Sequence, residues 1–306
     1  MNESFDVKNI FFLLTLMFNY FIFGLFILEA GSGAGMSFNE RLNQVCTEKN
    51  SLVCVGLDVD LNKVPSFILE KNEPLVYFCQ AIIAATLPYA AAYKINTAFF
   101  EAYGVSGWEA MSKVAAYLPD DVIKIADAKR GDIGNTSQMY ARAFFQEMNF
   151  DAMTVNPYLG YDAVAPFLED ENKGAFILCH TSNKGAADFQ KFSDGKKALF
   201  ERVAEQVQRW NVRHNCGLVV GATFPEEMKQ VRRLVPELPF LVPGLGAQGG
   251  DFELAVRYAT EPQGLGAIFN FSRGIIYRSA GEDFAEAAGN MARQIRDDIA
   301  KIAERR

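Results

Sequence analysis

The chain has 306 residues, 50% of them hydrophobic and 22% charged, with a formal net charge of −7 and a pI near 5.1. This acidic balance argues against a nucleic-acid-binding surface, because such surfaces need clustered basic charge. Only two histidines are present, His180 and His214, so a histidine-based zinc site or histidine-rich acid/base chemistry is not expected.

The first predicted element is the apolar run 10–28, in which Asn19 is the only strongly polar residue. A helix of this length spans roughly the 30 Å hydrocarbon core of a bilayer, so the run is a candidate membrane anchor. Lys8 is the only basic residue before it, which is unlike a secretory signal. We favour Met36 as the functional start, with 1–35 as a mistaken or dispensable extension and 36–306 as the folded domain. A genuine membrane anchor is the alternative.

After Met36, apolar segments typical of buried parallel strands alternate with helical segments. The predicted strands are 52–57, 91–95, 122–126, 152–155, 175–179, 218–220, 240–242 and 267–271. The predicted helices include 73–87, 107–118, 136–148, 196–214, 225–234 and 283–305. Eight strand-helix units in one domain predict an α/β fold, the (β/α)8 TIM barrel, whose active site lies at the carboxyl ends of the strands. An open doubly wound sheet is the alternative.

The five cysteines form no C-x-x-C pair, and three of them fall within apolar runs. Such cysteines behave as small buried hydrophobic residues. We therefore expect reduced thiols and a cytoplasmic protein.

Charged residues recur where the first three strands end. Asp58 follows the first strand, and Lys94 lies inside the otherwise apolar second strand, where an unpaired ammonium would be costly. The third strand runs into Asp127, Lys129 and Asp132. Because residues two apart in a strand share a face, Asp127 and Lys129 should point the same way and supply Lys94 with a carboxylate.

The D-x-K-x-x-D motif of Asp127, Lys129 and Asp132, followed by Ile133 and Thr136, resembles that of orotidine 5'-phosphate decarboxylases, in the longer bacterial subgroup called type 2. The resemblance extends over about 37–276. It implies a carboxy-lyase of pyrimidine biosynthesis that converts orotidine 5'-phosphate (OMP) to UMP and CO2, with no metal and no other cofactor.

The resemblance also implies roles for a Lys94-Asp127-Lys129-Asp132 tetrad. Asp127 would face the substrate carboxylate and stress the group that departs. Lys129 would stabilise the carbanion at C6 and then protonate it, while Lys94 would position Asp127 and the ribose.

A second implication concerns assembly. In the resembled family Asp132, together with Ile133 and Thr136, reaches across a two-fold interface into the neighbouring subunit's site. The resemblance therefore implies a homodimer with shared active sites.

Later strand ends supply candidate substrate contacts. By resemblance Asp58 would bind the ribose hydroxyls, and Asn156 would lie beside the pyrimidine. Ser182 would contact the pyrimidine, with Thr181 as the other candidate. His180 is expected to be a structural residue with its hydrogen bonds satisfied, because nothing in the tetrad chemistry requires an imidazole.

The loop 243–250 reads PGLGAQGG and contains G-x-G-x-x-G. It lies late in the chain and no acidic strand end follows it at the spacing of a dinucleotide fold, so we interpret it as half of a phosphate site. Backbone N–H groups of this glycine-rich turn, which includes Gly249, could approach the anion there. Arg273, after the last strand, offers a planar cationic donor, and Gln248 could close over the phosphate. A surface arginine in a salt bridge is the alternative for Arg273.

Three other functions fit parts of the sequence. A metal-dependent keto-sugar-phosphate decarboxylase or hexulose-phosphate synthase shares D-x-K-x-x-D, and sensitivity to EDTA would distinguish it. A membrane-tethered, non-catalytic binding protein is supported only by residues 10–28, and an NAD-dependent oxidoreductase only by the glycine motif.

Overall fold

The computed structural model describes residues 35–245 and 251–304. Eight parallel strands pair in sequence order and close into a barrel. The strands are β1 (Val53–Gly56), β2 (Ala92–Asn96), β3 (Ile123–Arg130), β4 (Ala152–Val155), β5 (Gly174–His180), β6 (Cys216–Val220), β7 (Phe240–Val242) and β8 (Ala267–Phe271).

Closure comes from pairing between the first and last strands, with Val53 opposite Phe269 and Val55 opposite Phe271. Almost every strand residue is buried, because each strand is covered by the barrel interior on one side and by helices on the other. The predicted (β/α)8 barrel is confirmed, and the open doubly wound sheet is excluded.

Helices surround the barrel, and all but α1 lie in the connections between strands or after the last strand. They are α1 (Phe38–Glu48), α2 (Pro74–Thr86), α3 (Thr97–Glu101), α4 (Gly104–Tyr117), α5 (Gly134–Ala141), α6 (Tyr161–Val164), α7 (Ala186–Phe189), α8 (Leu199–Trp210), α9 (Pro225–Leu234), α10 (Phe252–Ala259), α11 (Arg273–Ile276) and α12 (Phe284–Glu304).

Helix α1 was absent from the predicted set. It begins with a capping box in which Ser37 Oγ accepts from the N–H of Glu40, while the Glu40 carboxylate accepts from the N–H of Ser37 at 2.9 Å. Phe38 is fully buried, with its ring edge-to-face on Phe176 at 5.8 Å. The helix therefore packs at the amino-terminal end of the barrel, away from the predicted active site.

Two further differences lie beside the predicted site. Strand β3 continues four residues beyond the predicted end, so it includes both Asp127 and Lys129. The predicted helix 136–148 begins at Gly134 and changes at Arg142 into a π-helical turn, Arg142–Glu147.

The candidate anchor 10–28 lies outside the described residues. Within 35–245 and 251–304, no helix is long and apolar enough to cross a bilayer. The division into an extension, 1–35, and a domain, 36–306, stays a prediction.

Candidate active site

A large cleft opens at the carboxyl ends of the strands. Residues from six of the eight strands, or from the loops directly after them, contribute polar and charged side chains to its lining. These are Asp58, Lys94, Asp127, Lys129, Thr154, Ser182, Asn270 and Arg273.

Four of these side chains form a continuous array of alternating charge. Lys94 Nζ lies 3.3 Å from Asp58 Oδ1 and 2.9 Å from Asp127 Oδ2. Lys129 Nζ lies 2.6 Å from Asp127 Oδ1. Each buried charge therefore has an opposite partner, which is the condition under which buried ions are tolerated.

Burial and charge act in opposite directions on this array. Burial alone would lower the pKa of Lys94, but the carboxylates of Asp127 and Asp58 outweigh it and raise that pKa. Burial alone would raise the pKa of Asp127, but the charges of Lys94 and Lys129 hold it well below the usual range. Lys94 is therefore an ammonium and Asp127 a carboxylate at neutral pH.

Lys129 differs from Lys94 in exposure. Its side chain is 49% exposed, whereas that of Lys94 is 4% exposed. Lys129 lines the cleft and keeps its contact with Asp127, so its ammonium can meet a ligand as well as the carboxylate.

Thr154 is a site residue that the sequence analysis missed. Its hydroxyl donates to Asp127 Oδ1 at 3.0 Å and accepts from the backbone N–H of Lys129 at 2.9 Å. The available signal was a hydroxyl in the short apolar strand β4, but threonine is common in strands and this signal alone points to no function.

Asp132, Ile133 and Thr136 do not line the cleft within one chain. The Asp132 carboxylate accepts the N–H of Ile133 at 2.8 Å, and Ile133 is 59% exposed. The structure therefore joins Lys94, Asp127 and Lys129 of the predicted tetrad, with Asp58 as the second carboxylate on Lys94. The role of Asp132 stays a prediction.

Asn156 is also outside the cleft. Its side-chain oxygen accepts the N–H of Tyr158 at 3.0 Å, which stabilises the turn after β4. The backbone N–H of Asn156 donates to the carbonyl oxygen of Arg130 at 2.8 Å. A pyrimidine contact from Asn156 is not visible in this chain and stays a prediction.

The segment after β5 is held by side chains from outside the strand. Gln190 Oε1 accepts the N–H of Thr181 at 2.8 Å, and Gln190 Nε2 donates to Thr181 Oγ1 at 2.8 Å. Gly221 lies against Ser182 so closely that a Cβ there would come within 2.6 Å of the Ser182 nitrogen. Both Thr181 and Ser182 line the cleft, so the structure does not choose between them.

His180 is fully buried between the rings of Phe200 and Phe224, each 4.9 Å away. Neither ring nitrogen has a hydrogen-bond partner among the described residues. Burial lowers its pKa to about 4, so the ring is neutral at pH 7. It does not line the cleft, which agrees with the predicted structural role. The expectation that its hydrogen bonds are satisfied is wrong for the described residues, because aromatic rings rather than polar groups surround it.

The opposite side of the cleft is the predicted phosphate site. Gly244 and Leu245, after β7, and Arg273, at the start of α11, line it. Within the described residues Arg273 forms no salt bridge, so the alternative of a paired surface arginine finds no support there. Gln248 and Gly249 lie outside the described residues, and their predicted roles stay predictions.

All five cysteines are buried and free, and burial raises the pKa of Cys54, beside Lys94, to about 12. Over residues 35–245 and 251–304, no cluster of three or more His, Cys, Asp or Glu side chains is arranged to hold a metal ion.

Comparisons with known proteins agree with this geometry. A family model described as "Orotidine 5'-phosphate decarboxylase / HUMPS family" matches residues 51–288. The chain is 48% identical over 268 residues to the orotidine 5'-phosphate decarboxylase of Dehalococcoides mccartyi, covering 86% of this chain and 97% of that protein. It is 46% identical over 270 residues to the enzyme of the same name from Christiangramia forsetii, covering 87% and 99%. The solved structure of Leishmania donovani OMP decarboxylase is 40% identical, with a TM-score of 0.77, and the match covers 88% of this chain and all of that one.

Proposed function

Because this chain belongs to the orotidine 5'-phosphate decarboxylase / HUMPS family, we propose that it decarboxylates OMP to UMP and CO2 as a step of pyrimidine biosynthesis. The observation that carries the proposal is the Asp58-Lys94-Asp127-Lys129 array at the barrel mouth. It supplies fixed charges where a carboxylate must leave and a carbanion must form, and it calls for no metal.

In this mechanism the bond between C6 and the carboxylate carbon breaks, and the electron pair stays on C6. Lys129 stabilises that carbanion and donates a proton to it, and water later reprotonates the amine. Asp127 faces the departing carboxylate, whose charge it repels in the bound substrate. Lys94 holds Asp127 ionised and in place through its 2.9 Å contact.

The remaining lining residues bind the parts of OMP that do not react. Asp58 binds the ribose hydroxyls, and Ser182 binds the pyrimidine. Arg273 and the backbone of the turn that includes Gly249 bind the phosphate, and Gln248 closes over it. Binding energy from the phosphate offsets the repulsion at the reacting carboxylate, so its loss lowers turnover as well as affinity.

The working unit in this proposal is a homodimer in which Asp132, Ile133 and Thr136 of one subunit complete the site of the other. Exposed apolar side chains support it, because Ile133 and Met139 on one segment, and Tyr158 and Leu159 on the next, remain uncovered in one chain. Ser137 donates to the carbonyl of Ala163 at 3.0 Å, which ties these two segments together.

We place the enzyme in the cytoplasm, since its five thiols are buried and unpaired and its proposed substrate is a metabolic nucleotide. Neither nucleic acid nor an NAD-type cofactor has a role in the proposal. The extension 1–35 contributes nothing to catalysis in it.

The test is loss of the orotate ultraviolet absorbance when OMP is mixed with the purified full chain in EDTA. We expect rapid turnover, abolished in Lys129→Ala. Turnover that requires added Mg²⁺, or that fails with OMP but occurs with a keto-sugar phosphate, would identify the metal-dependent relatives instead.

Two arginine substitutions, one inside the cleft and one outside it, test the proposed phosphate contact. Arg273→Ala should lower kcat/KM for OMP by about 10- to 100-fold, the cost of losing charge-assisted hydrogen bonds. Arg278→Ala, five residues further along and outside the cleft, should leave kcat/KM unchanged.

A further inference from the structure

Strands β3 and β4 lose their regular pairing beside the charge array. Ala126 pairs with Met153, and the next pair is Arg130 with Val155. Three residues of β3, from Asp127 to Lys129, therefore face the single residue Thr154. In a regular parallel ladder, backbone groups of β4 would hold this stretch.

Lys129 has a φ of 48°, in the left-handed region that side chains other than glycine rarely occupy. Such a backbone conformation persists only where surrounding contacts determine it. The contact present here is the 2.9 Å hydrogen bond from the N–H of Lys129 to Thr154 Oγ1.

The same hydroxyl also fixes the carboxylate. Thr154 Oγ1 donates to Asp127 Oδ1 at 3.0 Å, and this oxygen also accepts from Lys129 Nζ at 2.6 Å. Thr154 is only 1% exposed, so water does not replace these bonds in the folded chain. The Thr154 side chain thus takes the place of the missing hydrogen bonds between β3 and β4. It connects the backbone of Lys129 to the side chain of Asp127.

We propose that Thr154 is a positioning residue for the decarboxylation: its hydroxyl sets the left-handed backbone of Lys129 and the orientation of Asp127, and so places the proton donor against C6. This inference rests on the proposed function. Its effect belongs to the chemical step, because ground-state affinity for the nucleotide comes mainly from the ribose and phosphate contacts.

Thr154→Ser and Thr154→Ala form the decisive pair, because both lose the methyl group and they differ only in the hydroxyl. We expect Thr154→Ala to lower kcat for OMP by about 10- to 100-fold, because a misplacement of a reacting group by about 1 Å can slow the chemical step this much. Its KM for OMP and its Kd for UMP, measured by calorimetry, should change by less than about threefold. Thr154→Ser should restore most of the wild-type kcat.

Thr86→Val is the matched control for losing a buried threonine hydroxyl. Thr86 is also fully buried and bonds to Ile82 and Tyr93, but it lies on α2, outside the cleft. It should lower the melting temperature with no change in kcat.

The outcomes separate the two claims. If the wild-type protein does not consume OMP, the proposed function fails and this inference falls with it. If the wild type turns over but Thr154→Ala has the same kcat as Thr154→Ser, or loses UMP affinity as strongly as kcat, the positioning role is wrong.

Discussion

Lys94 and His180 are both polar residues on barrel strands and both are buried, yet their surroundings lead to opposite charge states. Lys94 has two carboxylates within 3.3 Å and remains charged. His180 has aromatic rings on both sides and remains neutral. The contacts of Lys94 keep a charge at the cleft. The burial of a neutral His180 should make the folded state less stable in acid.

His180 gives a prediction about pH. Its pKa is about 4 in the folded chain and about 6.5 when unfolded, so between these values the unfolded chain binds more protons. The free energy of unfolding therefore falls as pH is lowered from 6.5 to 4, by about 1.4 kcal/mol per pH unit and on the order of 3 kcal/mol in total. Urea unfolding from pH 7.5 to 4.5 gives the slope of the free energy of unfolding against pH. This slope should be steeper for the wild type than for His180→Phe, which has no imidazole at this position.

His214→Gln is the control for replacing a histidine, because His214 is exposed whereas His180 is buried. The charged groups near the His180 ring are those of the Lys191-Glu227 ion pair. The Lys191 ammonium lies 4.6 Å from the centre of the Phe224 ring, which packs against His180. Equal slopes for wild type and His180→Phe would show that His180 does not charge on unfolding.

At the scale of elements, the strands were predictable because a strand buried on both sides is an uninterrupted apolar run. Helix α1 was missed although Ser37 and Glu40 form a capping box that is visible in the sequence. Asp127 and Lys129 were predicted to share a face. Their side chains do meet, but the backbone of Lys129 is left-handed and the pairing of β3 with β4 is interrupted there. Thr154 could not be found from sequence, because its role depends on a pairing between strands that local patterns do not encode.

Helix α1 is held to the barrel by Asp151, which directly precedes β4. Its carboxylate lies 2.6 Å from Arg41 of α1 and accepts the N–H of Lys124 of β3 at 2.9 Å. Asp151 is buried at the amino ends of the strands, opposite the cleft. Asp151→Asn should lower the free energy of unfolding by about 3 kcal/mol, since it leaves a partly buried arginine without its anion, and should leave kcat unchanged.

Chemical denaturation together with the OMP assay checks this prediction. Asp298→Asn is the control, because its 3.4 Å pair with Lys301 is solvent-exposed and should be worth less than about 1 kcal/mol. A fall in kcat for Asp151→Asn with unchanged stability would mean that the two ends of the barrel are coupled.

At the scale of the whole molecule, the single chain presents an incomplete version of the predicted tetrad. Asp132 is three residues from Lys129 in sequence, yet it does not line the cleft, and its carboxylate accepts the N–H of Ile133. Ile133 and Tyr158 are 59% and 81% exposed, an unusual cost for large apolar side chains in a monomer. In the proposed homodimer a second copy buries these side chains, and Asp132 of each subunit completes the partner's cleft.

Subunit mixing tests this arrangement directly. Lys129→Ala and Asp132→Ala subunits, co-expressed with different affinity tags, should each be inactive as homodimers. If Asp132 acts in the partner's site, their heterodimer contains one site with an intact Lys129 and an intact Asp132, and one site that lacks both. Its kcat per dimer should be about half that of the wild type.

The reciprocal heterodimer provides the control. When one subunit carries both substitutions and the other is wild type, a shared site leaves neither cleft complete, so activity should be absent. If Asp132 instead served its own subunit, the two heterodimers would exchange behaviour: the doubly substituted pair would keep half the activity and the complementary pair would be inactive. The order of the two activities therefore decides which subunit supplies the last carboxylate.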